Sequence, residues 1–119
     1  ELTLDYTKTR EQFGQALSKF QALQHRMVDT FMVHEQTKSL LLMAAAKMND
    51  KAADTSKSIS ALKYQIGSAA KLIGEESIQL HGGMGVTEEM SIGHYFKRLT
   101  TIRTIFGNSD YHLKRYSSL

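Results

Sequence analysis

The sequence predicts an all-α protein, an antiparallel four-helix bundle, and three observations carry that prediction. Apolar residues recur at steps of three and four through two long stretches that nothing breaks. Proline is absent from all 119 residues, so no ring interrupts a helix interior. Strand signals are missing: there are no period-two runs and no Asn-Gly hairpin turn. A chain of this length fits one domain over residues 1–119.

The elements follow in order. Leu2 to Phe13 reads as the end of a helix that Gly14 stops, glycine tolerating the left-handed cap conformation. Ser18-Lys-Phe-Gln21 has the form of a capping box, with Leu17 as its hydrophobic staple. A helix of about 32 residues, about 48 Å long, runs from there to Asn49. Its expected buried stripe is Phe20, Leu23, Met27, Phe31, Leu41, Ala45 and Met48, interrupted by the polar stretch His34 to Lys38. Asn49-Asp50 supplies a turn and Asp54 an N-cap. The second long helix places Ile59, Leu62, Ile66, Ala69, Ile73 and Leu80 on one face, and Ser68, Ala69 and Ala70 allow close approach of a neighbour. It ends at Gly82-Gly83-Met84-Gly85. Thr87 is the expected cap of a third helix reaching Phe106, with Glu88 and Glu89 at its positive end. Gly107-Asn108 breaks it, and Asn108 caps a short last helix to Ser117, where Lys114 and Arg115 suit the negative dipole end.

Composition excludes several functions. With no cysteine there is no disulfide framework, thiolate metal site or cysteine nucleophile, which fits a reducing compartment. The net charge of +3 is mild and the signs are interleaved, so there is no clustered basic stripe for nucleic acid. No apolar run is long enough to span a membrane. The start at Glu1 rather than Met suggests a processed chain or a piece of a longer one.

Metal chemistry is disfavoured by spacing. A di-iron bundle needs Glu-x-x-His pairs. Three residues before the five histidines stand Ala22, Phe31, Ile78, Ser91 and Ser109, so no metal site is expected. Gly83-Met84-Gly85 is not a dinucleotide fingerprint: Glu88 stands where the third glycine belongs, and a helix precedes it instead of a strand. A cap with a tight turn is the simpler reading of these glycines. The alternative is close approach of a ligand to bare backbone N–H groups. Arg10 and Gln21, each taken alone, read as a helix-end arginine and a capping-box glutamine.

Taken together these segments say more. Thr9-Arg10-Glu11-Gln12-Phe13-Gly14, followed by Phe20-Gln21, resembles the Arg-x-x-Phe-Gly…Gln signature of acyl-CoA dehydrogenases. Gln79-Leu80-His81-Gly82-Gly83-Met84-Gly85 is similar to that family's Gln-x-x-Gly-Gly-x-Gly motif. The order of the motifs and the long helices between them match the family's C-terminal helical domain over essentially the whole chain. The resemblance implies a flavoprotein with N-terminal and middle domains outside this sequence, oxidising acyl-CoA thioesters to 2,3-enoyl products. It implies electron-transfer flavoprotein as acceptor and a dimer or tetramer built through this bundle. The location implied is the cytoplasm, or the mitochondrial matrix of a eukaryote. By the same resemblance Arg10 pairs with the FAD pyrophosphate, Gln12 and Phe13 lie beside the adenosine, and Gln21 with its neighbour Phe20 contacts FAD. Gln79, Leu80, His81, Gly82 and Gly83 present a side-chain amide and backbone N–H groups to the same cofactor.

One departure stands out. Many members carry the catalytic glutamate in a segment for which this chain has Ile105-Phe106-Gly107-Asn108. Its position is held by Phe106, or by Gly107 if shifted by one, and no carboxylate lies between Glu89 and Asp110. Abstraction of a proton needs a positioned base, which neither residue can be. Asp110 is expected in the first turn of the last helix instead. Two parent types stay open: an enzyme with its base upstream of Glu1, or a non-catalytic helical interaction subunit that kept the fold. The domain alone is expected to be inactive.

Overall fold

The computed structural model describes residues 1–119. The elements are α1 (Leu2–Thr9), β1 (Glu11–Gln12), β2 (Gln15–Ala16), α2 (Gln21–Asn49), α3 (Thr55–His81), α4 (Ile92–Ile102) and α5 (Ser109–Ser118). The molecule is elongated, 56 × 25 × 22 Å, because α2 and α3 lie antiparallel along its length. Arg26 near the start of α2 pairs with Glu76 near the end of α3, and Lys47 near the end of α2 pairs with Asp54 before α3. The five helices confirm the all-α expectation, and α3 is the helix on which α2, α4 and α5 all pack.

The first helix is shorter than expected. It stops at Thr9, and Arg10 turns extended with φ −74° and ψ 124°. The chain then makes a small antiparallel hairpin pairing Glu11 with Ala16 and Gln12 with Gln15, so the expectation of no strand is corrected. The two turn residues, Phe13 and Gly14, have φ of 53° and 81°. Positive φ at both is what a two-residue hairpin turn of matching twist demands. Gly14 meets it freely, whereas Phe13 costs about 1–2 kcal/mol.

The capping box does not form. Phe20 is the N-cap of α2 and supplies no side-chain bond, while the Gln24 amide donates to the Ser18 carbonyl at 2.8 Å. The buried stripe of α2 also differs. Leu23 and Met27 face inward as expected, but the line continues through Thr30, Val33, Thr37, Leu40 and Ala44. Phe31, Leu41 and Met48 are 63, 53 and 58% exposed. This helix is apolar on more than one side, so periodicity alone did not single out the face that meets α3.

Asp54 sits at the N-cap position of α3 but makes no cap bond, because its carboxylate is taken by Lys47. The expected apolar face of α3 is buried or half-buried throughout. Close approach uses Gly67, Ala69, Ala70 and Gly74 rather than Ser68, which is exposed. A Cβ on Gly74 would stand 3.1 Å from the Phe96 ring of α4.

Thr87 does not start a helix. Gly82–Val86 forms a 3₁₀ turn that ends where Thr87 N–H donates to the Met84 carbonyl at 3.2 Å, and α4 begins only at Ile92. A Cβ on Gly85 would stand 2.8 Å from the Ile78 carbonyl, so this segment is folded down onto the end of α3. The α4 helix ends at Ile102, four residues before Phe106, and Lys63 of α3 donates to the Ile102 carbonyl at 3.0 Å. Asn108 caps α5 as expected, its side chain accepting from Tyr111 N–H at 2.9 Å. Arg115 does not serve its own helix end. It reaches α3 and donates to Ser60 Oγ at 2.6 Å and to the Ser56 carbonyl at 3.1 Å. No helix is long and apolar enough to cross a membrane.

Candidate functional site

A cleft of about 530 Å³ opens where the end of α1, the hairpin and the glycine turn after α3 converge. Arg10 reaches it because α1 ends just before this residue and the extended backbone carries it along the rim. Gln12 follows from β1, and Gln79 to Gly83 enter from the last turn of α3. Seven of the ten residues implicated by the two motifs, Arg10, Gln12, Gln79, Leu80, His81, Gly82 and Gly83, therefore line one cleft.

Phe13, Phe20 and Gln21 lie outside its lining. Phe13 sits at the hairpin tip, 92% exposed, with its ring edge-on to that of Phe20 at 6.3 Å. Gln21 opens α2 and is exposed.

Two aromatic rings fasten the cleft. Tyr6 stacks on His81, and its hydroxyl lies 3.4 Å from the His81 carbonyl oxygen. His81 is 3% exposed, with Nδ1 2.8 Å from the Ser77 carbonyl oxygen. Nδ1 therefore carries the proton in the neutral ring, since a carbonyl only accepts. Leu80, also buried, lies beneath the same turn.

The glycines present backbone outward. Gly82 has φ 59° and ψ −143°, a conformation that L side chains avoid. A Cβ on Gly82 or Gly83 would meet nothing of this chain within 4 Å. Packing within the chain thus does not explain Gly83, and its bare surface faces the open side.

The charge of the cleft is positive. Arg10 has no ion-pair partner. Arg26, which sequence reasoning did not single out, also lines the cleft, and its Nε lies 2.5 Å from Glu76 Oε2. The hydrogen bond to Glu76 raises the Arg26 pKa, against a smaller opposing effect of burial. No carboxylate residue lines the cleft itself. Tyr6, Leu17, Leu23 and Met84 complete it and were likewise not anticipated. Met84 comes with the glycine turn itself, whereas nothing in local spacing marks Tyr6, Leu17 or Leu23; packing of α1 and the start of α2 near the end of α3 brings them there.

The chain matches the model of the acyl-CoA dehydrogenase C-terminal domain over residues 1–117. It belongs to the acyl-CoA dehydrogenase family. The acyl-CoA dehydrogenase IpdE2 of Mycolicibacterium smegmatis is 34% identical over 116 residues, covering 97% of this chain and 35% of that protein. The structure described as a Tcur3481-Tcur3483 steroid ACAD superposes with a TM-score of 0.94 at 31% identity, over 98% of this chain and 32% of that one. The structure described as PigA with FAD and proline gives 0.90 at 28% identity, over 98% and 30%. The chain therefore spans about a third of the length of such relatives. The acyl-CoA dehydrogenases are flavoprotein oxidoreductases, and the present chain has their C-terminal helical domain.

The segment 105–108 holds no acid. Phe106 is 90% exposed with φ 60°, and Gly107 follows at φ 95°. The Phe106 carbonyl oxygen lies 2.9 Å from Nε2 of buried His112, which fixes the segment from below. Asp110 is exposed in the first turn of α5.

Proposed function

We propose that this chain is the FAD-contacting and oligomerising domain of an acyl-CoA dehydrogenase-like flavoprotein that oxidises acyl-CoA thioesters to 2,3-enoyl-CoA. The observation that carries the reading is the convergence of Arg10 and the Gly82-Gly83 backbone, 72 residues apart in sequence, on one positively charged cleft. The residues fit the cofactor. Arg10 offers an unpaired planar fork suited to a diphosphate. Gln79 and Gln12 offer amides, and Gly82 and Gly83 carry no Cβ to hold a ligand off the backbone, although the Gly82 N–H itself is spent on the Gln79 carbonyl. FAD, when bound, supplies the oxidising chemistry. The role of the chain is to hold and orient its diphosphate and adenosine portions.

The domain works with the N-terminal and middle domains of the family, with electron-transfer flavoprotein as acceptor for the whole. Alone it is inactive, because it offers one wall of a flavin site. Affinity needs further contacts to offset the entropy of association. The exposed apolar residues of α2 are the surface through which copies join as a dimer or tetramer. Proton abstraction requires a carboxylate from outside residues 103–108. Phe106 and Gly107 also favour a second reading, a non-catalytic subunit that keeps the fold and joins a catalytic one.

Backbone amide shifts of the chain titrated with FAD test the site. Weak binding, with a Kd of about 1 mM or more, should shift Gln12 and residues 79–83 first. Shifts confined to other surfaces, or none at all, would remove the cleft from the flavin site.

A further inference from the structure

Arg26, paired with Glu76, has a place in the cleft that neither motif assigns. Arg26 lines the cleft from α2, whereas Arg10 enters it from the end of α1. Its side chain is 38% exposed despite the contact with Glu76. Glu76 contacts Nε, the stem nitrogen of the fork, and the two terminal nitrogens have no hydrogen-bond partner in the chain. Guanidinium has five N–H donors, and one bond to a carboxylate leaves the outer pair free. Glu76 itself is not in the cleft lining. The cleft therefore has two guanidinium groups, one with no counter-ion and one whose counter-ion is held behind it.

We propose that Arg26 is a second anion contact of this cleft, and that Glu76 is a built-in counter-ion that competes for its charge and weakens its grip on the incoming anion. The ligand class is a diphosphate ester, whose two adjacent charged groups offer each of the two guanidinium groups an acceptor. This rests on the reading of the cleft as the site of the FAD diphosphate, and adds a residue and its restraint to it. A carboxylate on the stem nitrogen keeps the empty cleft from carrying two uncompensated positive charges.

A purely structural ion pair and a ligand-binding one respond differently to the loss of Glu76. If the pair only ties α2 to α3, Glu76→Gln loosens the cleft and weakens any anion binding. If Arg26 meets the anion, Glu76→Gln removes the competing charge and strengthens it. Glu75→Gln is the control, because Glu75 is exposed, adjacent and unpaired, and its loss changes net charge equally.

The experiment is a titration of the 119-residue chain with ADP and with inorganic pyrophosphate, followed by amide shifts, with circular dichroism to confirm that each variant is folded. Arg26→Gln should weaken ADP binding about tenfold, and Arg26→Lys should recover part of the loss, since a point charge lacks the fork. Glu76→Gln should tighten binding by more than Glu75→Gln does, by roughly threefold or more. Binding to the wild-type chain that Arg10→Ala weakens but Arg26→Gln leaves unchanged overturns the role of Arg26 and keeps the cleft as a flavin site. Weaker binding in Glu76→Gln overturns the counter-ion role. Absence of any cleft shift with the wild-type chain overturns the flavin-site reading and this inference with it. Should Arg26→Gln fail to fold, Glu76→Gln and Arg26→Lys still decide the matter.

Discussion

Tyr6 lies flat against His81, with ring centroids 4.3 Å apart and planes inclined by 24°. The two residues belong to the two ends of the motif-bearing chain, 75 positions apart, and their contact brings those ends into one cleft. Each ring buries an apolar face on the other, and stacked pairs of this kind add about 0.5–1.5 kcal/mol beyond area alone. Tyr6→Ala should therefore open the cleft before it unfolds the bundle. Amide exchange should rise at residues 10–16 and 79–83 while the middle of α3 stays protected.

The proposed flavin contact turns first on Arg10, which lines the cleft without an ion-pair partner. In a flavin-free longer protein that carries this domain, Arg10→Ala should weaken FAD binding by about 10- to 150-fold, the value of a charge-assisted contact of about 1.5–3 kcal/mol. Arg10→Lys should restore part of the loss. A solvated helix-end arginine would leave the flavin fluorescence titration nearly unchanged.

The two neighbouring glycines should separate stability from binding. Gly82→Ala forces a side chain into a positive-φ conformation and should cost about 1–3 kcal/mol, seen as a fall of several degrees in Tm. Gly83→Ala meets no neighbouring atom within the chain and should leave Tm nearly unchanged. It should nonetheless weaken FAD binding, because its methyl group stands on the open side of the turn.

Self-association follows from what α2 leaves uncovered. Phe31 and Leu42, 63 and 64% exposed, are among several large apolar residues along this helix. Light scattering at micromolar concentration should give a dimer or tetramer, and Leu42→Glu should shift it towards monomer. A monomer at all concentrations would show that these faces are left bare.

Acid should weaken the turn between the long helices. Its hydrogen bond with Lys47 holds the Asp54 carboxyl below its ordinary value of 3.8. A lowered carboxylate contributes stability that is complete above the ordinary value and disappears as pH falls through the folded one. Asp54→Asn should thus lower the urea midpoint slightly at about pH 7, and the difference should shrink as pH falls below the ordinary carboxylate range and through the folded value.

Much of this architecture was legible in the sequence, and the exceptions share a cause. Asn108 was identified as a cap because its side chain bonds within its own turn, a local interaction. Thr87 looked equally suitable, but Gly85 is pressed onto the end of α3, which keeps the segment in a 3₁₀ turn. The Phe13-Gly14 turn was missed because phenylalanine seldom adopts positive φ, so the glycine read as a helix stop. The site divides in the same way. Arg10, Gln79 and the glycines stand in contiguous motifs that resemble a known family. Tyr6 and Arg26 have no such setting, and only the crossing of three helices reveals them.

The connection between α2 and α3 has a consequence for the order of folding. Lys47 to Asp54 and Thr55 to the Lys47 carbonyl span seven and eight residues, so this hairpin closes at little entropic cost. The Tyr6–His81 contact must close a loop of 75 residues and profits only once that hairpin exists. The long helices should therefore form first and the cleft be completed after them. Substitutions at the turn should slow refolding, whereas those at Tyr6 should mainly hasten unfolding.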